Sequence, residues 1–206
     1  MKLDIMHRIT QKDNKTDMRK IITTMLLVCS MTAFAQSADK LYYEGKKLYD
    51  AEKYAEAFPK LKAAAEKGHA KAMYRLGRCY DKGRGTGEDD KQAFEWYKKA
   101  ADKGNAKAQY QLGKCYKDGE SVAKNRKKAF ELFMLAAKQE NADGQFAVGK
   151  AYFKGKGVAA DQAQAKKWIL RAVRNEKGGS EILAELRQEA KDGDEDSKAM
   201  LKLIGK

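Results

Sequence analysis

The sequence predicts an all-α fold, a right-handed α-solenoid of antiparallel helix hairpins. Five classes of position recur every 36 residues, three times without slippage. A period of about 20 to 50 residues is typical of a solenoid, because each unit packs mainly on its neighbours. The chain is also 35% charged with a single proline, which suits helices with a large exposed surface. The recurring positions are Gly77, Gly113 and Gly149; Tyr80, Tyr116 and Tyr152; Gly83, Gly119 and Gly155; Ala93, Ala129 and Ala165; and Ala100, Ala136 and Ala172.

The N-terminal segment has the order of a bacterial signal peptide. Within residues 18–36, two cations precede an apolar run and a small-x-small triplet that ends at Ala35. The apolar run is shorter than the roughly 20 residues that cross a membrane. We therefore expect a leader over residues 1–35, a translation start at Met18, and export to the periplasm or the medium. An uncleaved N-terminal helix is the alternative.

The first predicted unit, residues 38–67, is an atypical repeat. Gly45 lies 32 residues before its equivalent Gly77, whereas Ala57 lies 36 residues before its equivalent Ala93. The loop between the two helices of this unit is therefore shorter than in the following unit. This spacing matches a tetratricopeptide repeat. We expect Pro59 to lie near the start of the second helix, where a missing N–H is tolerated.

Three regular units are predicted next, over residues 68–103, 104–140 and 141–177. In the first of them, apolar residues at helical spacing predict a helix A over about 70–82, and a second such run predicts a helix B over about 91–103. A glycine-rich turn separates the two helices. Small residues at facing positions, such as Gly77 with Ala93, would let the helices approach closely.

The C-terminal segment, residues 180–206, is predicted to form capping helices. Glycines 178 and 179 break the pattern, and a helix is expected over about 181–191. The apolar spacing of residues 198–203 repeats that of residues 71–76. We therefore expect a last helix that closes the stack, because terminal units of a solenoid are atypical.

These motifs resemble the Sel1-like repeat, a relative of the tetratricopeptide repeat. The resemblance covers about residues 69–174 and includes Leu-Gly-x-x-Tyr in helix A, Gly-x-Gly-Val in the turn and Ala-x-x-Trp-x-x-x-Ala in helix B. Three positions depart from it: Thr86 replaces the turn valine, Ser121 replaces a turn glycine, and Leu132 replaces the tryptophan. The matching residues include Gln109, Tyr110, Leu112, Gly113, Tyr116, Gly155, Gly157, Val158, Ala165, Trp168 and Ala172.

Residues suited to catalysis or metal binding are scarce in this sequence. No Cys/His cluster has metal-ligand spacing, and His69 is interpreted as a polar residue at the start of a helix. Cys79 and Cys115 are one repeat apart, about 10 Å by helix packing, which is too far for a disulfide. We interpret them as small buried residues, with a disulfide or metal pair as the alternative. The sequence therefore predicts no enzyme activity and no cofactor or metal.

The predicted site is a set of aromatic and cationic residues on the A helices. The resemblance implies that these helices line the concave face, with one aromatic and one cation in each repeat. Such pairs suit an extended peptide that carries acidic groups or a free carboxylate. The alternative is that the aromatics only build the fold and the cations are solvated. The predicted partner-binding residues are Tyr42, Lys46, Tyr74, Arg78, Tyr110, Lys114, Phe146 and Lys150.

The net charge leaves a second function open. The formal charge is +14, and 37 Lys/Arg remain against 26 Asp/Glu beyond residue 35. Such a chain would be attracted to a polyanion or a membrane surface, although no nucleic-acid motif is present. The predicted function is an exported, non-enzymatic protein–protein interaction scaffold that binds a protein or peptide. A polyanion or membrane-surface binder is the alternative, and a cell-wall-acting enzyme is a third possibility.

Overall fold

The computed structural model describes residues 37–119 and 121–206. The predicted leader over residues 1–35 and the predicted start at Met18 lie outside the described residues. None of the described helices combines the length and the apolar composition that crossing a membrane requires.

The described residues form ten α-helices and no strand, which confirms the all-α prediction. The helices predicted over 70–82 and 91–103 begin and end within one residue of those positions. The helices are α1 (37–50), α2 (Tyr54–Glu66), α3 (Ala70–Asp81), α4 (Asp90–Asp102), α5 (Ala106–Asp118), α6 (Arg126–Lys138), α7 (Ala142–Lys154), α8 (Gln162–Val173), α9 (Gly179–Lys191) and α10 (Glu195–Ile204).

Consecutive helices pack on each other along the chain, as the solenoid prediction requires. The hairpins α3–α4, α5–α6 and α7–α8 stack through contacts between α4 and α5 and between α6 and α7. One continuous core runs through the stack from α1 to α7. At the C-terminal end, α9 packs against both α7 and α8, and α10 packs against α8 and α9.

Side-chain caps set the start of most helices. Seven of the described helices begin after a residue whose side chain accepts a hydrogen bond from a backbone N–H three residues later, at 2.6–3.1 Å. His69 is one of them, which confirms its predicted position at a helix start. Neither α2 nor α9 has such a cap. The capping residues are His69, Asp89, Asn105, Asn125, Asn141, Asp161 and Asp194.

Pro59 does not lie where the sequence suggested. It lies inside α2, which begins five residues earlier at Tyr54, and the helix continues past it to Glu66. The Tyr54 ring packs edge-on against Tyr49 of α1, with 5.1 Å between ring centroids. The short connection thus lets α2 begin immediately after α1, so that Pro59 falls in the second turn of the helix.

The recurring helix A glycine lies where two helices touch. A Cβ atom at Gly113 would lie 2.6 Å from the Phe133 ring of α6 and 3.3 Å from the backbone oxygen of Ala129. Gly77 and Gly149 lie equally close to Tyr97 and Ile169 of the following helix. Any side chain at these positions would push the two helices of the hairpin apart.

Aromatic pairs join neighbouring hairpins. The rings of Phe94 on α4 and Tyr116 on α5 meet edge to face, with centroids 5.8 Å apart. The same contact occurs one repeat later between Phe130 and Tyr152, at 5.3 Å. The recurring tyrosine therefore holds each helix A against the helix B before it.

Both cysteines of the described region have free thiols. Cys79 is fully buried in the core, as predicted, whereas Cys115 is half-buried at its edge. Burial raises the pKa of each thiol to about 11, so both are neutral at pH 7.

Candidate partner-binding groove

A cavity of about 470 Å³ lies between helices α5, α6, α7 and α9. Four of the predicted partner-binding residues line it: Tyr110, Lys114, Phe146 and Lys150. We call this cavity the groove. Its volume lies within the roughly 300–1,000 Å³ of typical ligand sites.

The 36-residue period places these four residues in two equivalent pairs. Tyr110 and Lys114 are four residues apart on α5 and therefore share a face, and Phe146 and Lys150 have the same positions on α7. The Tyr110 ring packs against Phe133, with centroids 5.7 Å apart. The ammonium of Lys150 lies 5.2 Å from the Phe146 ring centroid, close enough for a cation–π interaction.

The groove carries an excess of positive charge. Seven cations and four carboxylates line it. Among the described residues, only two of the cations form ion pairs: Lys117 with Asp118 at 3.3 Å, and Lys154 with Asp196 of α10. The cations without such a pair are Lys114, Lys124, Arg126, Lys150 and Lys156.

Two residues of the groove have raised pKa values, and burial is the largest cause of each shift. Burial raises the pKa of Tyr110 to about 12, and the charges of Asp143 and Glu185 add to the rise. Desolvation also raises the pKa of Asp143, supported by Glu181 and opposed by Lys107 and Lys114. Tyr110 is half-buried in the groove, whereas Asp143 and Lys114 are exposed.

Helix α9 supplies an acidic wall that the sequence reasoning missed. Ile182, Glu185 and Glu189 of α9 all line the groove. Glu189 accepts a hydrogen bond from the Ser197 hydroxyl at 2.7 Å, which ties α9 to α10. The four-residue spacing of Glu181, Glu185 and Glu189 was a visible signal, because such residues share one face of a helix.

The predicted residues of the first unit do not line the groove. Tyr42 is only 6% exposed, and its ring stacks on His69 with centroids 4.2 Å apart. Lys46 forms an ion pair with Asp50 at 2.5 Å. Tyr42 therefore has little surface to offer a partner, whereas the side chain of Lys46 remains 42% exposed beside Asp50.

The predicted residues of the second unit lie outside the groove as well. Tyr74 and Arg78 are both half-buried on α3. The Tyr74 ring lies 6.1 Å from Tyr97, and Arg78 forms no ion pair with any described residue. Burial raises the pKa of Tyr74, whereas the charge of Arg78 opposes the rise. Arg78 is thus a partly buried cation near the aromatic residues of its hairpin.

A polar network joins the connection between α6 and α7 to the end of α8. The fully buried Gln145 amide donates to the Glu140 carboxylate at 2.8 Å and accepts from Asn175 at 3.0 Å. Arg171 also pairs with Glu140. Glu140 has a φ of 58°, where Gly104 stands one repeat earlier with a φ of 80°. The network therefore holds a non-glycine residue in the left-handed region.

Metal ligands are not brought together in the part of the chain that the structure describes. No group of three or more His, Cys, Asp or Glu side chains there is placed to hold a metal ion. The groove instead combines aromatic rings, cations and an acidic helix on a repeat scaffold. The scaffold itself is that of a helical-repeat protein.

The comparison with protein families assigns this scaffold. The Sel1 repeat matches residues 70–105, 106–141 and 142–176, which together make up more than half of the chain. The chain therefore belongs to the Sel1 repeat family, whose members are generally protein-interaction scaffolds.

Solved structures with the same architecture come from bacteria. A Sel1 repeat protein from Oxalobacter formigenes is 27% identical with a TM-score of 0.63, over 78% of this chain and 74% of that protein. The protein c5321, a protective antigen of uropathogenic Escherichia coli with an SLR fold, is 30% identical with a TM-score of 0.66. That match covers 85% of this chain but 39% of the antigen's length. No curated protein matches the chain.

Proposed function

We propose that this protein is an exported, non-enzymatic scaffold that binds an acidic segment of a partner protein in the groove. One observation carries the proposal: the aromatic–cation pairs of two adjacent repeats, Tyr110 with Lys114 and Phe146 with Lys150, line the same cavity. The proposal uses these two pairs and leaves out Tyr42, which stacks on His69, and Lys46, which pairs with Asp50.

The spacing of the pairs suits an extended peptide. Equivalent residues of neighbouring repeats are about 10 Å apart, and an extended chain advances roughly 3.3 Å per residue. About three residues of the partner would therefore span the distance between Lys114 and Lys150. Carboxylates of the partner would meet the lysine ammonium groups, and its apolar atoms would contact the aromatic rings.

Export is the second part of the proposal. It rests on the charged, apolar and small-residue order of residues 18–36. We expect the mature protein to begin at Gln36 and to occur in the envelope or the medium. N-terminal sequencing of the native protein tests this point, and recovery of residues 1–17 would exclude it.

A charge-driven polyanion or membrane-surface binder is the competing function, because five groove cations have no carboxylate partner among the described residues. The two functions differ in salt dependence. Binding dominated by phosphate contacts loses orders of magnitude in affinity between about 50 and 200 mM salt. Binding that also uses the aromatic rings of the groove should persist at the higher salt concentration.

The decisive experiment compares two double variants in affinity capture from the native envelope. Lys114→Ala with Lys150→Ala removes the groove cations, whereas Lys91→Ala with Lys127→Ala removes the same charge from exposed positions one repeat apart. Captured proteins are identified by mass spectrometry, and circular dichroism checks the helicity of both variants. We expect capture to fall only for the groove variant. Equal capture by both variants would place the binding surface elsewhere.

A further inference from the structure

Helix α9 presents an acidic face to the basic groove. Glu185 and Glu189 line the groove, and the charge of Glu181 acts on Asp143 at its edge. Glu185 has neither a hydrogen bond nor an ion pair with any described residue. The charge of Glu185 nevertheless contributes to the raised pKa of Tyr110 on α5. Helix α9 therefore carries, close to the A helices, a carboxylate that has no ion-pair partner among the described residues.

The same helix is anchored differently from the helices of the repeats. It begins after Gly178, which has a φ of 116°, and has no side-chain cap. Its buried residues, Ile182 and Leu186, belong to two small clusters that are separate from the main core. A glycine at the N-cap position stabilises a helix less than a capping side chain does. Displacement of α9 would therefore expose Ile182 and Leu186 but leave the main core of the repeats in place.

We infer that α9 is an intramolecular competitor for the groove, whose glutamates line the same cavity that the carboxylates of a partner would enter. This inference rests on the proposed function and extends it. The partner is then a segment with enough carboxylates to outcompete Glu185 and Glu189 for the groove cations. Binding of that segment moves α9 away from α5 and α7, while the repeats keep their packing.

The test uses the full chain and a defined probe, a short glutamate-rich synthetic peptide with a fluorescent label. The same peptide with glutamine in place of glutamate is the control probe. The variant Glu185→Gln with Glu189→Gln removes two groove charges, and glutamine still accepts the hydrogen bond from Ser197. Its matched control, Glu95→Gln with Glu131→Gln, removes two charges from exposed positions on α4 and α6.

We expect the groove variant to bind the glutamate peptide about two- to five-fold more tightly at low ionic strength, because the removed charges line the same groove and repel the carboxylates of the peptide. The exposed control variant should bind as the unmodified chain does. Hydrogen exchange should show faster exchange of the α9 amides when the peptide is bound, because a displaced helix loses its packing.

The outcomes separate the inference from the proposed function. Binding that depends on Lys114 and Lys150 but is insensitive to Glu185 and Glu189 would overturn the competitor role and leave the groove function intact. Slower exchange of α9 on binding would also overturn it, because α9 would then be a fixed wall. No binding of the glutamate peptide, or equal binding of the glutamine peptide, would contradict both.

Discussion

The contact between Gly113 and α6 allows a quantitative test of the repeat packing. A Cβ atom at this position would lie 2.6 Å from the Phe133 ring, well inside van der Waals contact, and 3.3 Å from the backbone of α6. Gly113→Leu adds three further carbons beyond that Cβ. Overpacking of this kind costs about 1–3 kcal/mol. The better helix propensity of leucine over glycine returns less than about 1 kcal/mol of this.

We therefore expect Gly113→Leu to lower the free energy of unfolding by about 0.5–2 kcal/mol. Urea denaturation followed by circular dichroism measures the change, and the midpoint of thermal unfolding should fall by about 2–4 °C per kcal/mol. Gly87→Ala is the matched control, because a Cβ atom at Gly87 would have no heavy atom within 4 Å. Equal stability of the two variants would show that the helices of the hairpin are not in contact at Gly113.

Three further results are expected. Asp143→Asn should stabilise the protein at pH 7 but not below pH 3.8. The pKa of Asp143 is raised above its ordinary value of 3.8, so the fold disfavours the ionised carboxylate, which is absent at the lower pH. A pH series of melting temperatures tests this. Glu140→Ala should destabilise the protein by about 1 kcal/mol more than Glu140→Gly, because only glycine adopts a φ of 58° without strain; equal urea midpoints would contradict it. Thiol titration of the unfolded, non-reduced mature protein should find two free thiols, Cys79 and Cys115, whereas none in a monomer would show a disulfide.

The fold could be predicted because the same packing constraint recurs at a fixed spacing along the chain. Gly77, Gly113 and Gly149 each face a large side chain on the next helix, so the same restriction appears three times at one spacing. A local rule repeated in register is visible without knowledge of any long-range contact. The position of Pro59 was missed because the atypical first unit has no second copy to compare with.

The groove was only partly predictable for the same reason. The pairs on α5 and α7 follow the period, but the wall formed by α9 belongs to the non-repeating end of the chain. Its place against α7 is set by the burial of Ile182 against Ala142 and Ala172, which no periodic pattern reveals. The engagement of Tyr42 was equally hidden, because it depends on His69, where the following repeats have asparagine.

The asymmetry of the solenoid ends is what makes one pair of repeats a candidate site. All the regular repeats carry an aromatic residue and a cation at the same helix A positions, so the period alone favours no single location. The C-terminal end breaks this equivalence, because α9 folds back over α7 and encloses the faces of α5 and α7 in a cavity. Glu185 and Glu189 of α9 thereby line the same cavity as Lys114 and Lys150. Selectivity for a partner would therefore be set by the capping helices more than by the repeats themselves.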